Sequence, residues 1–229
     1  MALIPGERVM EPVLHAQPVP VDAGMHGANV LVWQPSELTD IYREGVNCCV
    51  WRRGVSTSLS QWLGRVCAQH ALQVVERVDA RRVDLRPALR ELPETAEREA
   101  WLEDLHLLLN LYADLFGVRG LGVRLTTLDR EMCPRFHVDR VGVRLLCTYA
   151  GLGTEWLDNA DVMRGGLGPQ GQVLRPGGSV RRMERFDVAL LKGEAWPGNA
   201  GNGVVHRSPV MGSQAHRRLL LCVDPVDIG

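Results

Sequence analysis

The segment Cys133-Pro134-Arg135-Phe136-His137-Val138-Asp139-Arg140 governs the reading of the whole chain. An extended strand turns successive side chains to opposite faces. Phe136 and Val138 therefore share one face, and His137 and Asp139 share the other. The apolar pair calls for a core behind it, and the polar pair opens onto something else. From residue 118 onward the pattern stays that of short strands broken by Gly and Pro. They are expected near 122–128, 136–138, 143–149, 154–157, 172–174, 179–182, 186–191, 204–206 and 217–223. A run of about eight such strands suits a barrel or jelly roll.

Upstream the periodicity changes. Residues Glu94–Phe116 follow Pro93, begin with acidic turns and stop at Gly117, as helix dipole and C-cap rules require. Trp101, Leu105, Leu108, Leu109, Tyr112 and Leu115 form one broad apolar face, which needs a sheet to cover it. Ser58-Leu59-Ser60-Gln61 fits a capping box that opens a second helix, carrying Leu59, Trp62, Leu63, Val66, Leu72 and Val75. Short strands are expected at 27–33 and 46–51, with a brief helix opened by Pro35-Ser36-Glu37 between them. Residues 1–29 read as an irregular arm. The expectation is an α+β chain. Residues 1–117 supply an arm, short strands and helices packed on the sheet, and 118–229 form the strand-rich core, the two parts making one integrated domain.

The bulk properties exclude several classes of function. A chain of 229 residues with 45% hydrophobic content can bury a sizeable core. A net charge of -1 and a pI near 6.7 give no electrostatic case for a nucleic-acid or membrane partner. The cysteines at 48, 49, 67, 133, 147 and 222 form no Cys-x-x-Cys pair. The first residues have neither a cationic nor an apolar signal region, and no apolar run approaches a membrane span. A reduced, cytoplasmic protein is expected, with cysteines acting as small hydrophobes.

The chemistry lies in the polar face of the opening segment. His206 closes the short strand Gly203-Val204-Val205-His206, after a loop rich in Gly and Asn. Two imidazoles and one carboxylate, with the second histidine far downstream, form the three-ligand set of non-haem Fe(II) oxygenases, which leaves positions open on the metal. Arg217 and Arg218 then open the apolar strand Arg217-Arg218-Leu219-Leu220-Leu221-Cys222-Val223. A guanidinium at the start of a buried strand is costly without a carboxylate, and a dicarboxylate co-substrate would provide one. Adjacent strand residues face opposite ways, so only one of the two arginines points inward. Two other classes stay open. One is a non-catalytic, zinc-binding barrel in which Cys133 joins the imidazoles. The other is a partner-binding jelly roll whose histidines are incidental. Lys192 reads either as a strand-end lysine or as an anion contact. Trp156 and Trp196 read either as packing residues or as walls of a substrate cleft.

Residues 120–225 resemble the iron- and 2-oxoglutarate-dependent dioxygenases of the double-stranded β-helix fold, prolyl hydroxylases in particular. The likeness rests on Phe136-His137-Val138-Asp139, Leu145-Leu146-Cys147-Thr148-Tyr149, Gly153-Thr154-Glu155, Phe186–Leu191, Val205-His206-Arg207-Ser208-Pro209-Val210 and Arg218-Leu219-Leu220. The Arg-x-Ser pattern common in that family is absent, and 158–185 has no counterpart. The resemblance implies a jelly-roll, cupin-like core that holds Fe(II) through His137, Asp139 and His206. It also implies 2-oxoglutarate bound by Arg218 or Arg217 with Tyr149 as a helper, and hydroxylation of a small molecule or a protein side chain. The strand parity counted from His137 places Tyr149 on the ligand face. The wording Cys-Pro-Arg-Phe-His-Val-Asp-Arg, Gly-Thr-Glu-Trp-Leu, Leu-Leu-Lys-Gly-Glu-Ala-Trp and Val-His-Arg-Ser-Pro further resembles the bacterial family called domain of unknown function 1826.

Overall fold

In the computed structural model, residues 29–168, 171–211 and 217–228 are described. All but the last residue of the expected N-terminal arm lies outside them. The elements are β1 (Asn29–Val32), β2 (Cys48–Trp51), α1 (Thr57–Gln69), β3 (Gln73–Asp79), α2 (Ala96–Phe116), β4 (Gly120–Leu128), β5 (Val143–Ala150), β6 (Glu155–Leu157), β7 (Val180–Arg182), β8 (Val188–Lys192), β9 (His206–Arg207) and β10 (Arg218–Pro225). Seven strands form one mixed sheet in the order β1-β2-β8-β5-β10-β4-β3, in which only β1 and β2 run parallel. A smaller sheet has the order β7-β6-β9.

The helices and the small sheet cover opposite faces of the large sheet. α2 is capped by Thr95, whose hydroxyl accepts from the Arg98 amide, and it ends at Gly117 in the left-handed region at φ 60°. Its Trp101, Leu105, Leu108, Leu109 and Tyr112 are fully buried. They join Leu121, Val123, Leu125, Val143, Leu145, Tyr149, Leu219, Leu221 and Val223 in the main core. Each buried leucine contributes roughly 1.5–3 kcal/mol, which makes this layer the principal source of stability. The alternate residues of the same strands, among them Leu146, Ala189, Leu220 and Cys222, face the small sheet and pack with Trp156 and Val204. The two sheets thus lie face to face, as in a jelly roll, without closing into one barrel.

Several local expectations are corrected. α1 is capped by Ser56, whose hydroxyl accepts from the Leu59 amide, and not by a box at Ser58. It ends at Gln69, and Val75, expected on the helix, lies instead on β3, paired with Arg124 of β4. Val75 is 64% exposed, so no core requirement held it to helical spacing. The segments 136–138 and 172–174 are reduced to single bridges, His137 to His206 and Val162 to Leu174. Phe186 sits at φ 70° and is not part of β8. Among the described residues, no helix is long and apolar enough to cross a membrane.

Candidate metal centre

His137 and His206 are brought together by backbone pairing. The amide of each donates to the carbonyl of the other at 3.0 Å. Directly opposed residues of an antiparallel pair project to the same side, and the two imidazole centroids lie 4.5 Å apart. Phe136 and Val138 point the other way, into an outer cluster with Leu157 and Val205. Asp139 completes the group: one donor atom from each of His137, Asp139 and His206 lies within 4.8 Å of the others. His206 is buried, and His137 and Asp139 are partly so.

The hydrogen bonds around the rings decide what the group can hold. His137 Nδ1 lies 3.0 Å from the Arg135 carbonyl, and His206 Nδ1 lies 3.0 Å from the Val204 carbonyl. A carbonyl only accepts, so each Nδ1 carries the proton and each Nε2 presents its lone pair inward. Asp139 Oδ2 is buried with no well-formed hydrogen bond, 3.3 Å from His206 Nε2. Two lone pairs at that separation repel each other. A cation between them, or a second proton on His206, removes the conflict, so a metal ion and a proton compete for the same atom. Burial and the neighbouring His206 push the His137 pKa down, which favours its neutral, ligating form. Burial alone would raise the Asp139 carboxyl, but a proton on His206 Nε2, together with the Arg144 guanidinium, outweighs it and holds it at about 2, and a metal ion at the same place would act in the same sense. Two imidazole nitrogens converging on an ionised carboxylate with an orphaned oxygen fit a divalent metal.

A cavity of about 170 Å³ opens beside the group, between the two sheets. Thr126 and Leu128 of β4, Leu146 of β5, and Arg218 and Leu220 of β10 line it together with His137 and His206. Arg218 is 3% exposed and donates to the hydroxyls of Thr148 (3.0 Å) and Thr154 (2.5 Å), while its buried Nε has no partner. Among the described residues it has no carboxylate partner, and burial lowers its pKa to about 10. Arg217 turns the other way and reaches the Ala68 carbonyl at the end of α1. Alternation along β10 puts the two on opposite faces.

Tyr149 does not reach the cavity, contrary to the expected helper role. It is buried on the helix side of β5, and its hydroxyl donates to Asp104 Oδ2 at 2.7 Å. Asp104 also pairs with the buried Arg53. The parity counted from His137 fails because residues 138–142 form no strand, and β5 starts afresh at Val143. Thr148, one residue earlier, faces the cavity side instead. Cys133 lines the cavity but is not one of the donor group, so among the described residues the alternative zinc set that includes it does not assemble. Lys192 stands 4.7 Å over the Trp196 ring, on the helix side. Trp156 packs between the sheets under Arg181. Neither tryptophan lines the cavity.

Sequence reasoning missed Arg144. It forms an ion pair with Asp139 Oδ1 at 2.7 Å and donates bidentately to Asp224 at 2.7 and 2.9 Å. A charged residue inside Val143-Arg144-Leu145-Leu146 was the available signal, since a buried strand carries a guanidinium only against carboxylates.

Comparison with known proteins follows the same lines. No curated protein matches the sequence. Among solved structures, dioxygenase for auxin oxidation 1 from Arabidopsis thaliana, in its 2-oxoglutarate complex, superposes with a TM-score of 0.50 at 14% identity, covering 89% of this chain and 94% of that one. The rice dioxygenase for auxin oxidation gives 0.47 at 16% identity over 84% and 77%. A prolyl-4-hydroxylase from Pseudomonas putida gives 0.43 at 11% identity over 85% and 94%. The first of these shows a shared fold. The family described as protein of unknown function DUF1826 matches residues 33–224, from just after β1 almost to the end of β10. That span takes in the small sheet, all of the large sheet but β1 and the last residue of β10, both helices and the His–Asp–His group, and the chain is a member of the DUF1826 family.

Proposed function

We propose that this chain is an Fe(II)- and 2-oxoglutarate-dependent oxygenase that hydroxylates a small molecule or a protein side chain. Its core would be a double-stranded β-helix within 118–229, buttressed by 1–117. The observation that carries the reading is Arg218: a buried guanidinium with no carboxylate among the described residues, facing a cavity that His137 and His206 also line. A buried cation is costly without a counter-charge, and the far carboxylate of 2-oxoglutarate would supply one.

The residues divide the work. His137 Nε2, His206 Nε2 and Asp139 Oδ2 would hold the metal, and the carbonyls of Arg135 and Val204 keep each ring in the ligating tautomer. Bound Fe(II) would supply dioxygen activation, with 2-oxoglutarate oxidised to succinate and carbon dioxide as the substrate gains one oxygen atom. Thr148 and Thr154 hold the Arg218 fork in place before the co-substrate arrives, so little side-chain freedom is lost on binding. Leu128, Leu146 and Leu220 keep water from the cavity wall.

Anaerobic titration with Fe(II), followed by 2-oxoglutarate, tests this directly. The expected result is a visible charge-transfer band that His137→Ala and His206→Ala abolish. Zinc uptake without any such band, or no metal uptake by the apoprotein, overturns the proposal.

A further inference from the structure

The arrangement of Arg144 bears on how many oxygens Asp139 can offer. A carboxylate beside a metal can bind through one oxygen or chelate through both. Here Oδ1 is engaged at 2.7 Å by Arg144 and lies 3.8 Å from His137 Nε2, while Oδ2 has no such partner and lies 3.3 Å from His206 Nε2. Arg144 is itself held fast, because its Nε and second terminal nitrogen grip Asp224 on β10. Arg124 donates to the same Asp224 at 2.6 Å and braces it from β4. Arg144, Asp224 and Asp139 are all at most partly exposed, so the chain of contacts is shielded from solvent competition. The bracing spans three neighbouring strands of the large sheet. Asp139 itself sits on the irregular link after His137, with no strand of its own to orient it.

The geometry points to Arg144 as a positioning residue that confines Asp139 to one ligating oxygen. The inference rests on the metal reading above. Three donor atoms, and no more, then come from the protein. The remaining positions stay free for a chelating co-substrate and a third, small ligand. Without Arg144, the freed Oδ1 would swing to the metal. The ion would gain a fourth protein oxygen or nitrogen and lose the cation beside its carboxylate. It would be bound more tightly and would accept the co-substrate less well. A residue that merely supported the fold would weaken both kinds of binding together, so opposite signs are the signature.

Co(II) serves as the probe, since its visible d–d spectrum reports coordination number without turnover. The full-length apoprotein, Arg144→Leu and Asp224→Asn are each titrated with Co(II) and then with 2-oxoglutarate. In Arg144→Leu the Co(II) spectrum is expected to change, Co(II) to bind about tenfold more tightly, and 2-oxoglutarate about tenfold more weakly, the scale typical of changes next to metal ligands. Asp224→Asn, which loosens Arg144 without removing it, shifts all three in the same direction by less. If both variants keep the unaltered spectrum and co-substrate affinity, the role of Arg144 is refuted while the metal reading stands. If Arg144→Leu loses Co(II) outright and Asp224→Asn behaves as the unaltered protein, Arg144 only supports the fold. An unaltered protein that takes up no Co(II) overturns the metal reading and this inference with it.

Discussion

Replacing Arg218 by methionine separates a binding role from a structural one. The side chain is 3% exposed, and burial lowers its pKa from the ordinary arginine range to about 10. That drop corresponds to about 3 kcal/mol of cost for carrying the charge in the apoprotein. Against it stand hydrogen bonds to Thr148 and Thr154, each worth about 1.5 kcal/mol at the low end for a charged donor. The two terms nearly cancel. Methionine keeps the apolar stem, and Thr154 borders the cavity, where water can satisfy its hydroxyl. Arg218→Met should therefore change folding stability by less than about 1 kcal/mol, read from urea unfolding of the metal-free protein. Binding of the proposed co-substrate should respond very differently. Removing the partner of a buried carboxylate costs about 2–5 kcal/mol, which is about thirtyfold or more in affinity. Anaerobic titration with 2-oxoglutarate reads that loss. A variant that unfolds several kcal/mol more easily yet binds 2-oxoglutarate unchanged would refute the reasoning, since Arg218 would then be a structural residue.

Other perturbations test other layers. Asp187 is buried and its pKa is raised to about 6, chiefly by desolvation. A carboxyl raised in the folded state gives stability that is complete below its unfolded pKa and is lost as pH climbs through the folded value. Urea unfolding should thus show a decline of up to about 3 kcal/mol between pH 4 and pH 7, and Asp187→Asn should flatten it. Leu105→Ala empties a fully buried site under the large sheet and should cost about 2–5 kcal/mol by the same assay, with metal uptake intact. Gly193→Ala places a methyl group 2.2 Å from the Val141 carbonyl oxygen and 2.7 Å from that of Asp139. It should weaken Co(II) binding by about tenfold although no ligand is altered, and an unchanged affinity would show that the Asp139 backbone is not held from this side.

The legible parts of the chain were those where local chemistry and tertiary need agree. α2 was read to within two residues of its observed start because caps and apolar face point the same way. His137 and Asp139 were legible as neighbours from the His-x-Asp spacing, and His206 from its place at the end of a short strand after a loop rich in Gly and Asn, and the three lie together. Arg218 could be narrowed to a pair but not selected, since β10 is apolar on both faces and only the two-layer packing tells them apart. Tyr149 was misplaced because parity does not survive the non-strand link between residues 138 and 142. β3 was hidden because an exposed edge strand has no strict burial pattern. Arg144 carried a visible signal, a charge in an apolar strand, but its partners Asp139 and Asp224 lie on different segments that no spacing rule joins.

The bridge between His137 and His206 has a thermodynamic consequence. In many small metal sites the ion itself closes the loop between distant ligands, so that metal and fold stand or fall together. Here two backbone hydrogen bonds already close that loop, and the entropy of bringing the histidines together is met by the sheet. Little of the binding free energy is then spent on ordering the chain. Removing an ion from such a centre should accordingly leave a folded apoprotein ready to be reloaded.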